Sequence, residues 1–146
     1  MEDLHWFVGL FEGEGTFASH RGKPKQMAIS MTDLDVLEKV QHLFGGSIYV
    51  IKSRQDHWKQ SWMWAIRGQA GIDLARKMEP LLMSRRAQRC REWVDDYQAM
   101  LDRKTSRTKE ILQTKKDNPK LTHREIAEMF GLERSTVSHA LRRHGV

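Results

Sequence analysis

Two carboxylates, Glu12 and Glu14, stand among three glycines in the run Phe7-Val8-Gly9-Leu10-Phe11-Glu12-Gly13-Glu14-Gly15-Thr16-Phe17. Residues 4–11 are apolar apart from His5, too continuous for a solvated helix, so the sequence predicts a helix buried on nearly all sides. That helix must stop near Gly13 to Gly15, which leaves both acids in its last turn, where the macrodipole disfavours negative charge. Carboxylates placed against that bias invite a cation. Hard oxygen ligands in small number, with room for water and a phosphate, suit magnesium. Gly9 and Gly13 lie four apart and share a face. Each interior glycine costs a helix about 1 kcal/mol, and the usual return is close approach of a second helix, which could be the same helix of another subunit. The plain alternative is that Glu12 and Glu14 are ordinary exposed carboxylates after a core helix.

The elements that must position these residues follow from periodicity. Residues 16–20 and 26–31 read as strands joined by an Arg21-Gly22-Lys23-Pro24 turn. Residues 33–44 carry Leu34, Leu37, Val40, Leu43 and Phe44 at helical spacing and stop at Gly45-Gly46. In the next strand, 47–53, Tyr49 and Ile51 share one face, while Ile48, Val50, Lys52 and Arg54 share the other, the set expected to face a groove. Trp62, Trp64 and Ile66 mark a fourth strand and read as core. Residues 70–83 give a helix closed by Glu79-Pro80-Leu81-Leu82, and a further helix is expected over 86–101, followed by a polar linker at 102–105. The expected division is a first domain over 1–102 and an appendage over 103–146.

The charge is uneven. Of the net +6, residues 1–102 hold 14 basic and 14 acidic side chains, and residues 103–146 hold 11 and 5, so the excess lies in the tail, an electrostatic grip on phosphate. The single cysteine, Cys90, permits no internal disulfide. Neither a signal peptide nor an apolar run of membrane length is present, so the expectation is a soluble intracellular protein in the cytoplasm, the nucleoid or a phage-infected host, without membrane contact. No Cys-His spacing suggests zinc.

The tail holds a second motif. Thr122 and Glu125 form a capping box, and the helix it starts carries Ile126, Ala127 and Phe130. Gly131-Leu132 makes a turn, and residues 134–143 form a second helix with Val137 and Leu141 inward. Small Ala127 allows the helices to cross and Gly131 takes the tight turn, a spacing that resembles the repressor-type helix-turn-helix. Its second helix would present Arg134, Ser135, Ser138, His139 and Arg142 to the major groove, with residues 105–116 as the supporting first helix; a plain helical hairpin is the alternative.

The run from Phe7 through Gly15, continued by Thr16 and Phe17, resembles the motif of the LAGLIDADG homing endonucleases. The resemblance implies an α+β fold: an αββαββα half-site domain with a saddle-shaped antiparallel sheet over roughly residues 1–100, then a small all-α helix-turn-helix. It implies that paired copies of the Gly9-Gly13 helix form a dimer interface. It further implies that Glu14, with Gly13, binds the catalytic Mg2+ or another divalent cation such as Mn2+ beside the scissile phosphates, with Glu12 in support. No small-molecule cofactor is implied. The family commonly carries a basic residue and then a glutamine after the segment matching 80–82, so Arg85 is expected at the edge of the active site, ahead of Gln88, or Arg86 if the register slips by one. Lysine is usual there; arginine cannot relay a proton near neutral pH but can stabilise a pentavalent phosphate.

A sheet of that kind has one bare face, able to read a major groove. The candidates for base or phosphate contact are His20, Arg21, Lys23, Lys25, Lys52, Arg54, Lys59 and Arg67. One motif in a chain too short for a second copy implies a homodimer on a pseudo-palindromic duplex DNA site, making one cut per strand, as homing endonucleases of mobile introns and inteins do. The rival expectation is a non-enzymatic transcription regulator, since one bacterial family joins a decayed LAGLIDADG-like domain to a C-terminal helix-turn-helix. Retention of both acids favours the nuclease. An intron maturase is a third reading, which the helix-turn-helix disfavours because A-form major grooves do not admit a helix.

Overall fold

A computed structural model describes residues 2–146. Helix α1 (Glu2–Glu14) leads directly into strand β1 (Gly15–His20), followed by β2 (Lys23–Met31), α2 (Leu34–Phe44), β3 (Ser47–Ile51), β4 (Ser61–Arg67) and α3 (Gly68–Met78). A 3-10 turn (Glu79–Leu81) precedes α4 (Ser84–Asp117), and the short helices α5 (His123–Phe130) and α6 (Arg134–Arg143) complete the chain. The order through residue 83 is the one expected, and the fold is α+β with a four-stranded antiparallel sheet, in the order β1-β2-β4-β3. Two compact units divide between Ala99 and Met100.

In the first unit one sheet face is lined by Phe17, Met27, Ile29, Trp64 and Ile66, all buried. Aromatic rings carry the packing onto α1. Phe7 meets Trp64 edge-on at 5.6 Å and Phe44 at 4.6 Å, while Phe11 meets Phe17 at 4.9 Å. Gly46 is where a side chain would be fatal: its φ is +88°, and a Cβ would lie 2.7 Å from the Ala65 carbonyl and the Trp64 indole nitrogen. This tight approach lets Trp64 Nε1 donate to the Gly45 carbonyl at 2.8 Å, so the helix stop is also the socket for one of the two fully buried tryptophans.

The hairpin between β1 and β2 is tighter than expected. His20 pairs with Lys23, so only Arg21 and Gly22 form the turn, at φ +50° and +74°, the paired positive values of the turn that matches strand twist. Pro24 is accommodated because the register slips there: Ala18 pairs with Gln26 and Ser19 with Pro24, leaving Lys25 as the extra residue of a bulge. Its carbonyl accepts from Tyr97 Oη at 2.9 Å.

Three expectations need correction. Residues 102–105 are not a linker; α4 is one helix of 34 residues through them. The stretch Asp102-Arg103-Lys104-Thr105-Ser106-Arg107 contains no glycine or proline, and its arginines and lysine are good helix formers, so polarity alone is no reason to break. Nor is α1 buried on nearly all sides: Phe7, Val8 and Phe11 are buried, but His5, Gly9 and Gly13 are exposed. The faces of β3 are also inverted. Ile48 pairs with Trp64 and Val50 with Trp62, which puts both on the face that carries buried Trp64, although Val50 itself is exposed, whereas Tyr49 pairs with Met63 on the other face. Alternation says which residues share a face, and only the partner strand says which face is covered.

Cys90 is 1 % exposed beneath α3, its thiol directed at the Ala75 carbonyl at 3.4 Å. Burial pushes it up to about 12, with Glu79 adding to the shift and Arg91 opposing it. The native thiol is therefore expected to resist a disulfide-exchange reagent at pH 8 and to react only after unfolding. Stoichiometric labelling of the folded protein within minutes would contradict this packing.

Candidate functional site

The two acids occupy one corner with different surroundings. Gly15 begins β1 in the residue after α1 ends, and a methyl group there would be driven into the Phe11 ring, so the corner is sharp because glycine permits it. Glu12 is half-buried, and its Oε1 accepts the Met83 amide at 2.6 Å. Glu14 is exposed and has no hydrogen-bond or ion-pair partner among the described residues.

The N-terminal part of α4 is laced to this corner and along β1. Arg86 donates to the carbonyls of Glu12 at 3.1 Å and Gly15 at 2.8 Å. Arg89 donates to the Phe17 carbonyl at 3.3 Å and Trp93 Nε1 to that of Ala18 at 3.1 Å. The carbonyls at a helix C-terminus lack partners within the helix and favour a cation, which Arg86 supplies. Arg85 points into solvent with no such bond among the described residues. The sequence leaves Arg85 and Arg86 as alternatives; the structure gives Arg86 a backbone-binding position and, among the described residues, gives Arg85 no bond.

Among the described residues no group of three or more His, Cys, Asp or Glu side chains is gathered to hold a metal. Of the two acids at this corner Glu14 is the exposed one, while Glu12 is committed in part to the Met83 amide. Magnesium takes one or two carboxylates and completes its octahedron with water and phosphate oxygens, so Glu14 fits as a partial ligand. Gly9 and Gly13 are open: a Cβ at either would meet no heavy atom within 4 Å. Trp6, on the same helix, lies 4.1 Å below the Lys39 ammonium.

The other sheet face mixes small and apolar residues, Ala28, Met63 and Ala65, with polar ones, and Arg67 is held on it. Arg67 donates to Gln26 Oε1 at 2.8 Å and sits 5.9 Å from the Tyr49 ring. Gln26 is 5 % exposed, and its amide also approaches Met63 Sδ at 3.9 Å. Gln26 and Tyr49 are not among the residues the sequence singles out: Gln26 stands at the polar start of its strand, next to Lys25, where nothing distinguishes it. Among the other candidates, His20, Arg21 and Lys23 gather at the β1–β2 hairpin and Lys25 occupies its bulge. Lys52, Arg54 and Lys59 lie in the connection between β3 and β4, beyond the strand that was expected to carry the first two. Trp58, 53 % exposed, shares that loop and was not anticipated.

The second unit has its own core of Ile111, Ile126, Ala127, Val137 and Leu141. Thr122 and Glu125 make both bonds of the capping box, and Gly131 turns the chain at φ +64°. Acceptance of the Thr122 amide, and then of its hydroxyl, lowers the Glu125 carboxyl below its ordinary value. On α6, Arg134, Ser135, His139 and Arg142 are exposed, whereas Ser138 is half-buried and within 2.9 Å of His123 Nδ1, a contact that ties α6 to α5. Replacing Thr122 by alanine should cost about 1 kcal/mol of stability in the second unit. Equilibrium denaturation followed by a reporter in residues 100–146 would check this, and a change near zero would show that the cap is dispensable.

A family model for the LAGLIDADG-like domain matches residues 2–76. A model for winged helix-turn-helix DNA-binding domains matches residues 105–143, a stretch that is helical here with no strand. Among solved structures, the archaeal intron-encoded homing endonuclease I-Vdi141I, determined in complex with DNA, aligns with a TM-score of 0.56 at 14% identity, over 98% of this chain and 98% of that one. The homing endonuclease I-CvuI, in complex with the I-CreI target, aligns at 0.48 and 14%, over 99% and 96%. Full-length DUF199/WhiA from Thermatoga maritima aligns at 0.37 and 15%, over 96% of this chain and 62% of that one. The first likeness concerns the fold, and the match to residues 2–76 spans just over half of the sequence: the chain belongs to the LAGLIDADG-like family.

Proposed function

We propose that the protein is a divalent-metal-dependent DNA endonuclease that acts as a homodimer on a pseudo-palindromic duplex. The observation that carries this reading is Glu14, an exposed carboxylate without a protein partner among the described residues, at a sharp corner braced by α4. Glu12, two residues earlier, is by contrast bonded to the Met83 amide.

In this reading the Gly9-Gly13 faces of two chains pair and bring the two Glu14 carboxylates near the twofold axis. Like charges so placed repel, which disposes the pair to share positive charge. Glu14, with the main chain at Gly13, would hold magnesium or manganese, which when bound supplies Lewis-acid stabilisation of phosphate charge and a more acidic water. Arg85, without a bond among the described residues, would lend positive charge to the pentavalent phosphate. The sheet face with Arg67, the hairpin with His20, Arg21, Lys23 and Lys25, and the loop with Lys52, Arg54 and Lys59 would grip the duplex. Arg134, Ser135, His139 and Arg142 of α6, supported by Ser138, would extend the footprint. The domain division proposed is endonuclease over 1–102 and helix-turn-helix beyond.

A second reading, a DNA-binding regulator without catalysis, is favoured by one observation, the helix-turn-helix match over residues 105–143. The two separate on one experiment: purified protein and a randomised duplex library with magnesium, alongside the Glu14→Gln variant and a chelated control. Site-specific double-strand cuts absent from both controls support the nuclease. Specific retention of duplexes that are never cut would replace it with the regulator.

A further inference from the structure

The corner bearing Glu14 is held from a segment some 70 residues away in sequence. The main-chain carbonyls on either side of Glu14, those of Glu12 and Gly15, accept from the two ends of one guanidinium, that of Arg86, at 3.1 and 2.8 Å. In the reverse sense the Glu12 side chain takes the Met83 amide, just ahead of α4, at 2.6 Å. Each segment thus uses a side chain to seize the backbone of the other. Arg86 is half-buried, its guanidinium 6.0 Å from the Phe11 ring that also packs against Gly15.

We infer that Arg86 and Glu12 are positioning residues: together they clamp the α1–β1 corner and so set the direction of the Glu14 carboxylate, without either touching the substrate. For its effect on the reaction the inference rests on the endonuclease reading; for its effect on the corner it rests on the geometry alone. A guanidinium presents several donors in a fixed plane and can span two carbonyls at once, which a compact ammonium does less well. Glu12 acts here through an acceptor oxygen, and a glutamine offers the same oxygen without the charge. Glu12 is thereby moved from direct support of the metal to support of the backbone.

The test compares Arg86→Ala, Arg86→Lys, Glu12→Gln and Glu12→Ala with wild type, and with Arg91→Ala as a surface control on the same helix. Three quantities are read: kcat and KM for cleavage with magnesium, duplex affinity in chelator, and amide hydrogen exchange at residues 13–17 relative to the β2 core. Displacement of a reacting group by about 1 Å costs on the order of 10²-fold, so Arg86→Ala and Glu12→Ala should lose about that much in kcat, with KM and metal-free affinity within about threefold. Exchange at 13–17 should rise at least about tenfold with the β2 core unchanged. Arg86→Lys should fall between, and Glu12→Gln should remain within a few-fold of wild type. Should Arg86→Ala fail to fold, Arg86→Lys and Glu12→Gln carry the comparison.

The inference is overturned if Glu12→Gln is as inactive as Glu14→Gln, since the charge would then be what matters. It is equally overturned if local exchange does not change in Arg86→Ala, or if KM rises with kcat intact. Should wild type cut nothing, the endonuclease reading fails, and local exchange still decides whether the clamp exists.

Discussion

A Glu14→Gln protein is expected to bind its target duplex with wild-type affinity and to cut it at least about 10²–10³-fold more slowly, the loss typical of removing one well-placed charge stabiliser. The substitution keeps size and removes charge. Because the carboxylate is exposed and without a partner among the described residues, folding stability should move by no more than about 0.5 kcal/mol. Separating the three quantities matters. Loss of cutting with intact binding and stability isolates chemistry at Glu14, whereas full activity in the variant would remove the residue from the mechanism. Glu12 offers the contrast within the same motif, since its carboxylate is engaged by the Met83 amide and its removal should disturb the corner itself.

Substitution of Gly9 and Gly13 by leucine should convert the protein to a folded monomer that no longer cuts. In a single chain these positions tolerate a side chain, since a Cβ meets no heavy atom within 4 Å. Replacing glycine by a residue with a Cβ in a lone helix should even stabilise it, by about 0.5–1 kcal/mol for alanine. The expected penalty therefore arises only if another helix approaches this face closely, which makes the pair of effects diagnostic. Sedimentation velocity on the double variant should give the mass of one chain, with thermal stability at or above that of the dissociated wild type. A dimer retained in the variant would mean that chains associate elsewhere, and the shared site near the twofold axis would have to be abandoned.

Much of this was legible in the sequence for identifiable reasons. The capping box of Thr122 and Glu125 is a four-residue pattern with a local cause, and the structure contains it. The stop at Gly45-Gly46 rests on backbone conformations that glycine alone takes easily. The alternation of elements through residue 83 follows from hydrophobic periods of about two and about 3.6 residues. Most of what escaped is non-local. The faces of β3 depended on its register with β4, which no residue within β3 encodes. The assignment of Arg86 to the corner depended on a contact across more than 70 residues, and adjacent arginines look alike until a helix is rotated into place. The continuity of α4 through 102–105 is a local matter: the stretch is polar, yet the absence of glycine and proline lets the helix run on.

The most direct test of two such corners acting across a twofold axis is to map both strands of the products on a selected target at single-nucleotide resolution. With magnesium, one break on each strand is expected, the two breaks related by the dyad of the recognised sequence and absent when metal is chelated. Breaks confined to one strand, ends scattered without symmetry, or a specifically bound duplex with no new ends would contradict it.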